Sequence, residues 1–388
     1  MEIMMKELGE IITGNTPSKK NEEFWNSEDI CFVKPDIIAD TGVNEIIDSN
    51  EYISEEARKK ARVVGKGSIF VTCIGSIGKI GIASDGEYAF NQQINVIVPN
   101  EKVNSKYLAY NILYSRPRLL SIANAPVVPI INKSQFGEFV VNIEPNKNKQ
   151  LEIVNILDKL TTVMSKRKDE LVALDDLIKA RFVELFGNPD INEKNWNVYK
   201  MEQLCEVGSS KRIYQNDQSL TGIPFLRISD LVNRMDTGSK DCDLFIPEEL
   251  FEKFKKQGLV PARGDILLTA RGTLGRCYII QAGDEFYFQD GMITWLSKFD
   301  EKITPLYISY LFEMPEFRKQ IDSLQAGSTV AYLSISMTKK LNVMVPPMEL
   351  QNQFADFVHQ VNKSKLLVQK SLDETQVLFN SLMQKYFG

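Results

Sequence analysis

Two glycine-punctuated segments carry polar and basic side chains at matched positions. One runs from Thr72 to Lys79 (TCIGSIGK) and the other from Thr269 to Arg276 (TARGTLGR). Each follows a run of aliphatic residues that predicts a strand. Glycine lets a backbone approach a ligand closely, and lysine or arginine can neutralise phosphate or hydrogen-bond guanine. A plain β-hairpin turn has the same pattern, so both interpretations stay open here. The candidate DNA-binding residues of these segments are Thr72, Ser76, Lys79, Thr269, Arg271, Thr273 and Arg276.

Amide side chains follow a second pair of predicted strands. Asn91 and Gln92 come after Phe90, and Gln289 comes after Phe288. Asparagine and glutamine can pair with adenine, although they could equally cap a strand end. Arg227 follows a strand-like Phe-Leu pair as Lys34 follows Phe32-Val33. We therefore add Asn91, Gln92, Gln289 and Arg227 to the DNA-binding candidates.

Residue combinations that would indicate catalysis do not occur in the sequence. Its one histidine, His359, lies in a helical run without a nucleophile turn near it. Gly78-Lys79 resembles the end of a phosphate loop, but Ile80 stands where a Ser or Thr would hold magnesium. The five cysteines are scattered without a CxxC pair, which argues against a zinc site or a disulfide framework. The sequence therefore predicts no catalytic residues, no metal site and no cofactor of its own, and it favours binding.

The candidate residues belong to a unit that occurs twice, at an offset of about 200 residues. The segment from Gly264 to Arg276 lies over the segment from Gly67 to Lys79 without a gap, and Tyr307-Ile308-Ser309-Tyr310 matches Tyr107-Leu108-Ala109-Tyr110. Strand-like runs such as 30–33, 68–72 and 94–98 alternate with a helical run at 106–120, broken by Pro117. Each unit is thus a mixed α and β domain, and the chain is a tandem repeat.

Each predicted domain is followed by a long amphipathic helix, at Gln150–Gly187 and at Gln351–Gly388. Apolar residues recur at steps of three and four in both, and Gly187 with Pro189 ends the first. At 1.5 Å per residue each helix is roughly 55–60 Å long, too long for a single small domain to cover. We therefore expect the two helices to pack together. The predicted helix–helix contacts are Ile153, Ile156, Leu160, Val163, Leu171, Leu174, Ile178, Phe354, Phe357, Val361 and Leu372.

The composition sets limits on location and partners. The chain is 43% hydrophobic and 25% charged, without an apolar run of transmembrane length or a signal-peptide core. Together with the unpaired cysteines this predicts a cytoplasmic protein. A net charge of −5 weighs against a nucleic-acid binder, but binding needs a basic face and not a basic average.

The whole plan resembles the specificity subunit of type I restriction–modification systems. Two variable domains each precede a repeated helix, and the Gly-Asp-Ile-Leu-Leu-Thr-x-Arg-Gly-x-x-Gly segment is similar to that family. So are Gly327-Ser328-Thr329-Val330 leading to Leu333, and the Pro-Pro-x-x-x-Gln start of the helix at Pro346. The first half departs from the pattern, with Ile74 at the place of Arg271 and Asn124-Ala125-Pro126 at the place of the Gly-Ser-Thr loop. The resemblance adds Ser328 and Thr329 to the DNA-binding candidates.

The resemblance implies an α+β fold with two target recognition domains and two long helices packed as an antiparallel coiled coil. The expected boundaries are 1–144 for the first recognition domain, 145–190 for the central helix and linker, 191–345 for the second recognition domain, and 346–388 for the C-terminal helix. Each domain would read one half of a split DNA target, and the helices would be the spacer. Modification subunits, expected to be two, would carry S-adenosylmethionine and methylate adenine. A restriction and translocation subunit would join them.

Two other function classes remain to be tested: a stand-alone DNA methyltransferase, and a coiled-coil adaptor without a nucleic-acid role. The missing cofactor loop argues against the first, and the acidic pI of about 5.4 favours the second. Bound S-adenosylmethionine or salt-dependent DNA binding would distinguish them.

Overall fold

The computed structural model describes residues 1–123, 128–324 and 331–388. The chain divides into two compact units. The first contains Met1–Asp169 together with Gln369–Gly388, and the second contains Glu170–Val368. The first unit is therefore discontinuous in sequence, while the second is a single stretch of the chain.

The first unit is built on two sheets and an additional strand pair. Its strands are β1 (Glu2–Met4), β2 (Gly9–Thr13), β3 (Ile30–Val33), β4 (Val43–Ile46), β5 (Tyr52–Ile53), β6 (Val63–Val64), β7 (Ile69–Thr72), β8 (Ile80–Ala83), β9 (Tyr88–Phe90), β10 (Ile94–Pro99) and β11 (Val140–Asn142). One sheet has the order β2-β10-β7-β8-β4, antiparallel except for the pair β4–β8. The other has the order β5-β3-β9-β6, with β3 and β9 parallel, and β1 pairs with β11.

Short helices complete the first unit. They are α1 (Met5–Leu8), α2 (Ser105–Tyr114), α3 (Arg116–Ile122) and α4 (Lys133–Glu138), with 3-10 helices at Glu22–Phe24 and Glu55–Lys60. The Asn104 side chain caps α2 by accepting from the Tyr107 N–H at 3.0 Å. Pro117 lies in the first turn of α3, where its missing N–H costs nothing. The predicted helical run with a break before Pro117 is confirmed.

The second unit repeats this arrangement with shorter sheets. Its strands are β12 (Asn197–Lys200), β13 (Glu206–Gly208), β14 (Ile223–Leu226), β15 (Phe245–Ile246), β16 (Ile266–Thr269), β17 (Cys277–Ile279), β18 (Tyr287–Phe288), β19 (Ile293–Ser297) and β20 (Asn342–Val345). The sheet orders are β13-β19-β16-β17 and β15-β14-β18, and β12 pairs with β20. The helices are α6 (Ile228–Thr237), α7 (Glu248–Lys256), α8 (Pro305–Glu313), α9 (Pro315–Leu324) and α10 (Ile335–Lys340), with 3-10 helices at Met201–Gln203 and Gln215–Asp217.

The two sets of sheets confirm the tandem repeat. The order β2-β10-β7-β8 corresponds to β13-β19-β16-β17, and the parallel pair β3–β9 corresponds to β14–β18. Tyr107 and Tyr307 are both fully buried at the same place in α2 and α8. The units differ after β3 and β14: the first continues into a loop and β4, whereas the second continues into α6. A common framework thus carries different connections.

Two 40-residue helices, α5 (Lys147–Phe186) and α11 (Met348–Phe387), confirm the predicted long helices. In the second unit Arg181 lies over the ring of Phe357 with 5.6 Å to the ring centroid, and Phe182 packs edge-on against Phe354. Asp175 forms an ion pair with Lys365. As the residue number rises on one helix it falls on the other, so these segments pack antiparallel.

The buried stripe of α5 differs from the predicted one at two positions. Ile156 and Val163 are 39% and 42% exposed, whereas Leu157 is fully buried and Met164 nearly so. The buried side of α5 includes the polar residue Thr161. The adjacent row with Ile156 and Val163 therefore appears more apolar in the sequence. Of the other predicted contacts, Ile178, Phe354, Val361 and Leu372 are buried, and Ile153, Leu160, Leu171, Leu174 and Phe357 are partly buried.

A buried glutamine near the start of each long helix ties that helix to its unit. Gln351 accepts from the Thr304 N–H at 2.8 Å and donates to the carbonyls of Lys302 and Pro346, both at 2.9 Å. Gln150 bonds in the same way to the backbone of Asn104, Lys102 and Glu144. Both side chains are buried, so the predicted Pro-Pro-x-x-x-Gln element is a structural joint.

Candidate nucleic-acid interface

The segments Thr72–Lys79 and Thr269–Arg276, here called the glycine turns, have the same internal geometry. Thr269 donates to the Thr273 carbonyl at 2.5 Å and accepts from the Arg276 N–H at 2.9 Å. Thr72 makes the same two bonds within its own turn. Both threonines are 0% exposed. Their hydroxyl groups are used to shape the turn, and the prediction that Thr72 and Thr269 contact DNA stays a prediction.

The basic residue that ends each turn is paired inside its own unit. The Lys79 ammonium lies 2.6 Å from the Asp40 carboxylate, and the Arg276 guanidinium lies 2.5 Å from Asp236. The hydrogen bond and positive charge from these partners lower the pKa of Asp40 and of Asp236. The Lys79 side chain is only 13% exposed. Lys79 and Arg276 are therefore positioned differently from the free cations that the sequence suggested.

A second arginine contacts each glycine turn, and the sequence analysis missed it. Arg116, at the start of α3, donates from Nε to the Ile77 carbonyl at 3.2 Å. Arg318, in α9, donates to the Leu274 carbonyl at 3.1 Å. These carbonyls occupy the same position in the two turns. The repeat could have revealed these arginines, because they are separated by about the same number of residues as the equivalent tyrosines of α2 and α8.

The tips of the two turns carry different chemistry. In the second unit Arg271 is exposed, and its guanidinium lies over the ring of Tyr332 with 4.9 Å to the ring centroid. In the first unit Ile74 takes the place of Arg271 and forms a β-bridge with Ile130, as Arg271 does with Tyr332. Ser76 and Thr273 are exposed on the same turns. One tip therefore presents a cation and an aromatic ring, and the other presents two aliphatic side chains.

Backbone bonds join each tip to the loop that follows the neighbouring strand. The Cys73 N–H donates to the Gln93 carbonyl at 2.8 Å, and the Ala270 N–H donates to the Met292 carbonyl at 2.9 Å. Gln92 is exposed beside the first tip, where its side-chain oxygen accepts from Thr16 at 2.8 Å. Gln289 is half-buried beside the second. The structure thus brings these two predicted amides to the turns.

Two other predicted residues are used internally. Asn91 is 7% exposed, and its side chain accepts from the Gln93 N–H at 3.1 Å and donates to the Gln93 side chain at 2.9 Å. Arg227 donates to both carboxylate oxygens of Asp230, at 2.9 and 3.1 Å. A polar residue whose hydrogen bonds are made within the fold offers less to a ligand. The DNA contacts of Asn91 and Arg227 stay predictions, for side chains that already make hydrogen bonds within the fold. The predicted contacts of Ser328 and Thr329 lie outside the described residues.

Exposed cationic residues lie around both turns and add to the predicted set. In the first unit Arg62 donates to the Thr13 carbonyl, and the Asn15 side chain donates to the Lys60 carbonyl at 2.5 Å. These bonds bring the end of the 3-10 helix at Glu55–Lys60 beside the loop of Thr16. In the second unit Lys211 and Arg212 are exposed after β13, and Arg212 pairs with Asp290 at 2.8 Å. The surface around each glycine turn therefore carries exposed cationic residues, although the net charge of the chain is −5.

Within the described part of the chain there is no group of three or more His, Cys, Asp or Glu residues able to hold a metal ion. His359 lies exposed on α11, and the five cysteines are free thiols. Burial raises the pKa of the Cys73 and Cys205 thiols to about 12, so both are poor nucleophiles. Over the same described ranges, no helix has the length and apolar character needed to cross a membrane.

These features indicate a binding protein in which one framework occurs twice. Each copy carries a different set of exposed side chains around its glycine turn. The family model for the type I restriction modification DNA specificity domain matches residues 1–173 and 193–375, and the chain belongs to this family. Specificity subunits are the DNA-recognition components of restriction–modification complexes and are not themselves the enzymes. The chain is accordingly a non-catalytic recognition subunit.

Curated relatives and solved structures agree with this assignment. The chain is 27% identical to a putative type I restriction enzyme specificity subunit of Haemophilus influenzae, over 70% of this chain and 68% of the relative. It is 24% identical to the MjaIX specificity subunit of Methanocaldococcus jannaschii, over 98% and 91%. Its fold resembles the type I S subunit of M. genitalium, with a TM-score of 0.57 at 16% identity over 100% and 96% of the two chains. A chain from a study of complex assembly and conformational transition in the type I system gives 0.60 at 14% identity, over 100% and 97%.

Proposed function

We propose that each unit reads one half of a split double-stranded DNA target through its glycine turn and the adjoining loops. The observation that carries this proposal is the repeated framework with unlike tips: Ile74 beside Ile130 in one unit, Arg271 beside Tyr332 in the other. A protein that binds two different base sequences in the same manner needs a constant framework and variable contact residues. The five-stranded and four-stranded sheets provide the first, and the tips provide the second.

The chemistry of the second tip suits a base contact. Arg271 is exposed, and packing on Tyr332 limits the conformations of a side chain that otherwise loses much rotamer freedom on binding. Arginine can donate two hydrogen bonds to the O6 and N7 atoms of guanine. Phosphates would be neutralised by Lys211 in the same unit and by Lys59 and Lys60 in the other. Such contacts position a protein without specifying sequence.

In this proposal the reactions belong to partner subunits. Two modification subunits would bind S-adenosylmethionine and methylate adenine, and a restriction and translocation subunit would join them. The long helices would set the spacing of the half-sites and offer docking surfaces. In support, α5 and α11 carry exposed aliphatic residues that their own units do not cover, among them Leu151, Ile156, Val163, Leu366, Leu367, Val377 and Leu378. Exposed apolar surface of this kind marks protein interaction sites.

The test compares Arg271→Ala with Arg263→Ala in the chain bound to its modification subunits. Arg263 is an exposed arginine that precedes β16, whereas Arg271 follows it, so each variant removes one positive charge near one end of the same strand. Mapping methylated adenines gives the target of each complex. Arg271→Ala should relax one base of one half-site by about 5- to 150-fold, corresponding to about 1–3 kcal/mol for a bidentate contact. Arg263→Ala should leave the motif unchanged.

Two results would contradict the proposal. If the wild-type complex methylates no defined bipartite sequence, the DNA-reading function itself is wrong. If Arg271→Ala weakens all sequences equally and reduces the salt dependence of binding by about one ion, Arg271 contacts phosphate and the base contact lies elsewhere.

A further inference from the structure

The ion pairs Lys79–Asp40 and Arg276–Asp236 occupy the same place in the two units but are built differently. In each unit the cation is the last residue of the glycine turn. Its carboxylate partner comes from a loop in the first unit, because Asp40 lies between β3 and β4. In the second unit Asp236 comes from the helix α6. A loop in one unit and a helix in the other thus place a carboxylate beside the last residue of the glycine turn. The ion pair is therefore common to both units although the local structure around it differs.

An arginine from α3 in the first unit, and one from α9 in the second, also contacts the glycine turn. Arg116 donates to the Ile77 carbonyl and, at 2.8 Å, to the Asp40 carbonyl, so it joins the turn to the loop that holds the acid. A side chain at position 78 would meet Arg116 Cγ at 2.7 Å, and the φ of Gly78 is +78°. Glycine is required there so that the arginine can cross the turn. Arg318 makes the equivalent bond to Leu274 in the second unit.

We propose that Lys79, Asp40 and Arg116 in one unit, and Arg276, Asp236 and Arg318 in the other, are positioning residues for half-site recognition. Each set fixes the backbone of a glycine turn from outside, while the buried threonine fixes it from within. Contacts to base edges require placement within about 0.5 Å, which a free turn does not provide. The cations at the turn ends therefore act through the turn and do not touch DNA. This inference rests on the proposed reading of DNA by the turns.

The discriminating variant is Asp236→Asn. If Arg276 were a DNA contact, removing its partner would free the guanidinium and leave specific binding intact or stronger. If Arg276 positions the turn, Asp236→Asn should lower discrimination in one half-site by about 10-fold, the scale of one base contact. Arg276→Ala should give the same result. The exchange Asp236→Arg with Arg276→Asp should restore discrimination to within about 3-fold, because the ion pair is rebuilt in reverse.

The experiment uses the full chain with its modification subunits and the target defined by the wild-type complex. Initial methylation rates are measured on the cognate duplex and on duplexes with single base changes in each half-site. Asp40→Asn is the matched control, expected to affect only the other half-site. Melting of each variant is recorded so that general unfolding is recognised.

The outcomes separate the two levels of the argument. Failure of the wild-type complex to select a bipartite sequence would refute DNA reading itself. If the wild-type complex is selective, unchanged discrimination in Asp236→Asn overturns the positioning role. A charge exchange that folds but does not restore discrimination also overturns it. Equal loss in both half-sites with a lowered melting temperature assigns the pair to general folding and also overturns it.

Discussion

Replacing Gln351 with methionine should destabilise the second unit by removing the polar joint between α11 and the domain that precedes it. Methionine has nearly the length and volume of glutamine, so little cavity is created. The substitution leaves the Thr304 N–H and the carbonyls of Lys302 and Pro346 without their side-chain partner, where Gln351 is 1% exposed.

The magnitude follows from these three bonds. A typical intramolecular hydrogen bond contributes about 0.5–1.5 kcal/mol, and a buried group left unpaired costs about 1–3 kcal/mol. The carbonyls of Lys302 and Pro346 can partly relax toward other donors or water, whereas the Thr304 N–H is fixed at the start of α8. We therefore expect a loss of about 2–4 kcal/mol in the free energy of unfolding, a large share of the stability of an ordinary domain.

Denaturant unfolding followed by tryptophan fluorescence measures this loss. Trp25 lies in the first unit, whereas Trp196 and Trp295 lie in the second, so a Trp25→Phe background confines the signal to the second unit. Gln353→Met, two residues further along the same helix at an exposed position, is the control and should change stability by less than about 0.5 kcal/mol. If Gln351→Met lowers the free energy of unfolding by no more than Gln353→Met does, the hydrogen bonds of Gln351 do not stabilise the second unit.

Three further predictions concern the spacer, the pH dependence and the reaction. Inserting four residues between Lys166 and Glu170 lengthens α5 by about 6 Å with a rotation of about 40°. The methylated motif should then show a gap longer by one or two base pairs at about 3.4 Å each, with both half-sites unchanged; an active variant with the original gap would exclude the helices as the spacer. Burial raises the pKa of Asp265 above 3.8, so its ionised form is disfavoured in the fold and stability falls as pH rises through the folded-state pKa. Asp265→Asn removes this loss, and its melting temperature relative to wild type should therefore rise as the pH is raised above about 4; a constant difference would contradict the assignment. The purified chain alone should show no methyltransferase or nuclease activity, tested with labelled S-adenosylmethionine and supercoiled plasmid, and turnover that follows the chain through purification would contradict this.

The repeat and the long helices could be predicted because their signals are periodic and extend over many residues. An offset kept over most of the chain predicted two similar units, and the structure confirms them in strand order and in the buried Tyr107 and Tyr307. The helices needed only the three–four spacing and the closing glycine. The choice of buried column failed at Ile156 and Val163 because one polar residue, Thr161, outweighed the true pattern in a helix with apolar residues on adjacent columns.

The candidate contacts were harder to predict because residue type states what a side chain can bind and not what already binds it. Thr72 and Asn91 are polar residues in the right segments, yet their hydrogen bonds are satisfied within the fold. Lys79 and Arg276 are paired with carboxylates about 40 residues earlier in the chain, a distance at which no local pattern reveals the partner. Arg271 at the second tip and Gln92 beside the first tip are exposed, and both stay predicted contacts.

The discontinuous first unit has a consequence for the order in which the protein folds during synthesis. The ring of Tyr107 packs on Phe387 with 5.1 Å between ring centroids, and Tyr110 packs on Phe379. These partners emerge from the ribosome more than 260 residues after the tyrosines, whereas residues 170–368 form a continuous unit. At about 5–20 residues per second, the N-terminal domain waits at least ~10 s for the helix that covers its aromatic residues. The unit begun first is therefore completed last, because the rings of Tyr107 and Tyr110 lack these two partners until the second long helix has been made.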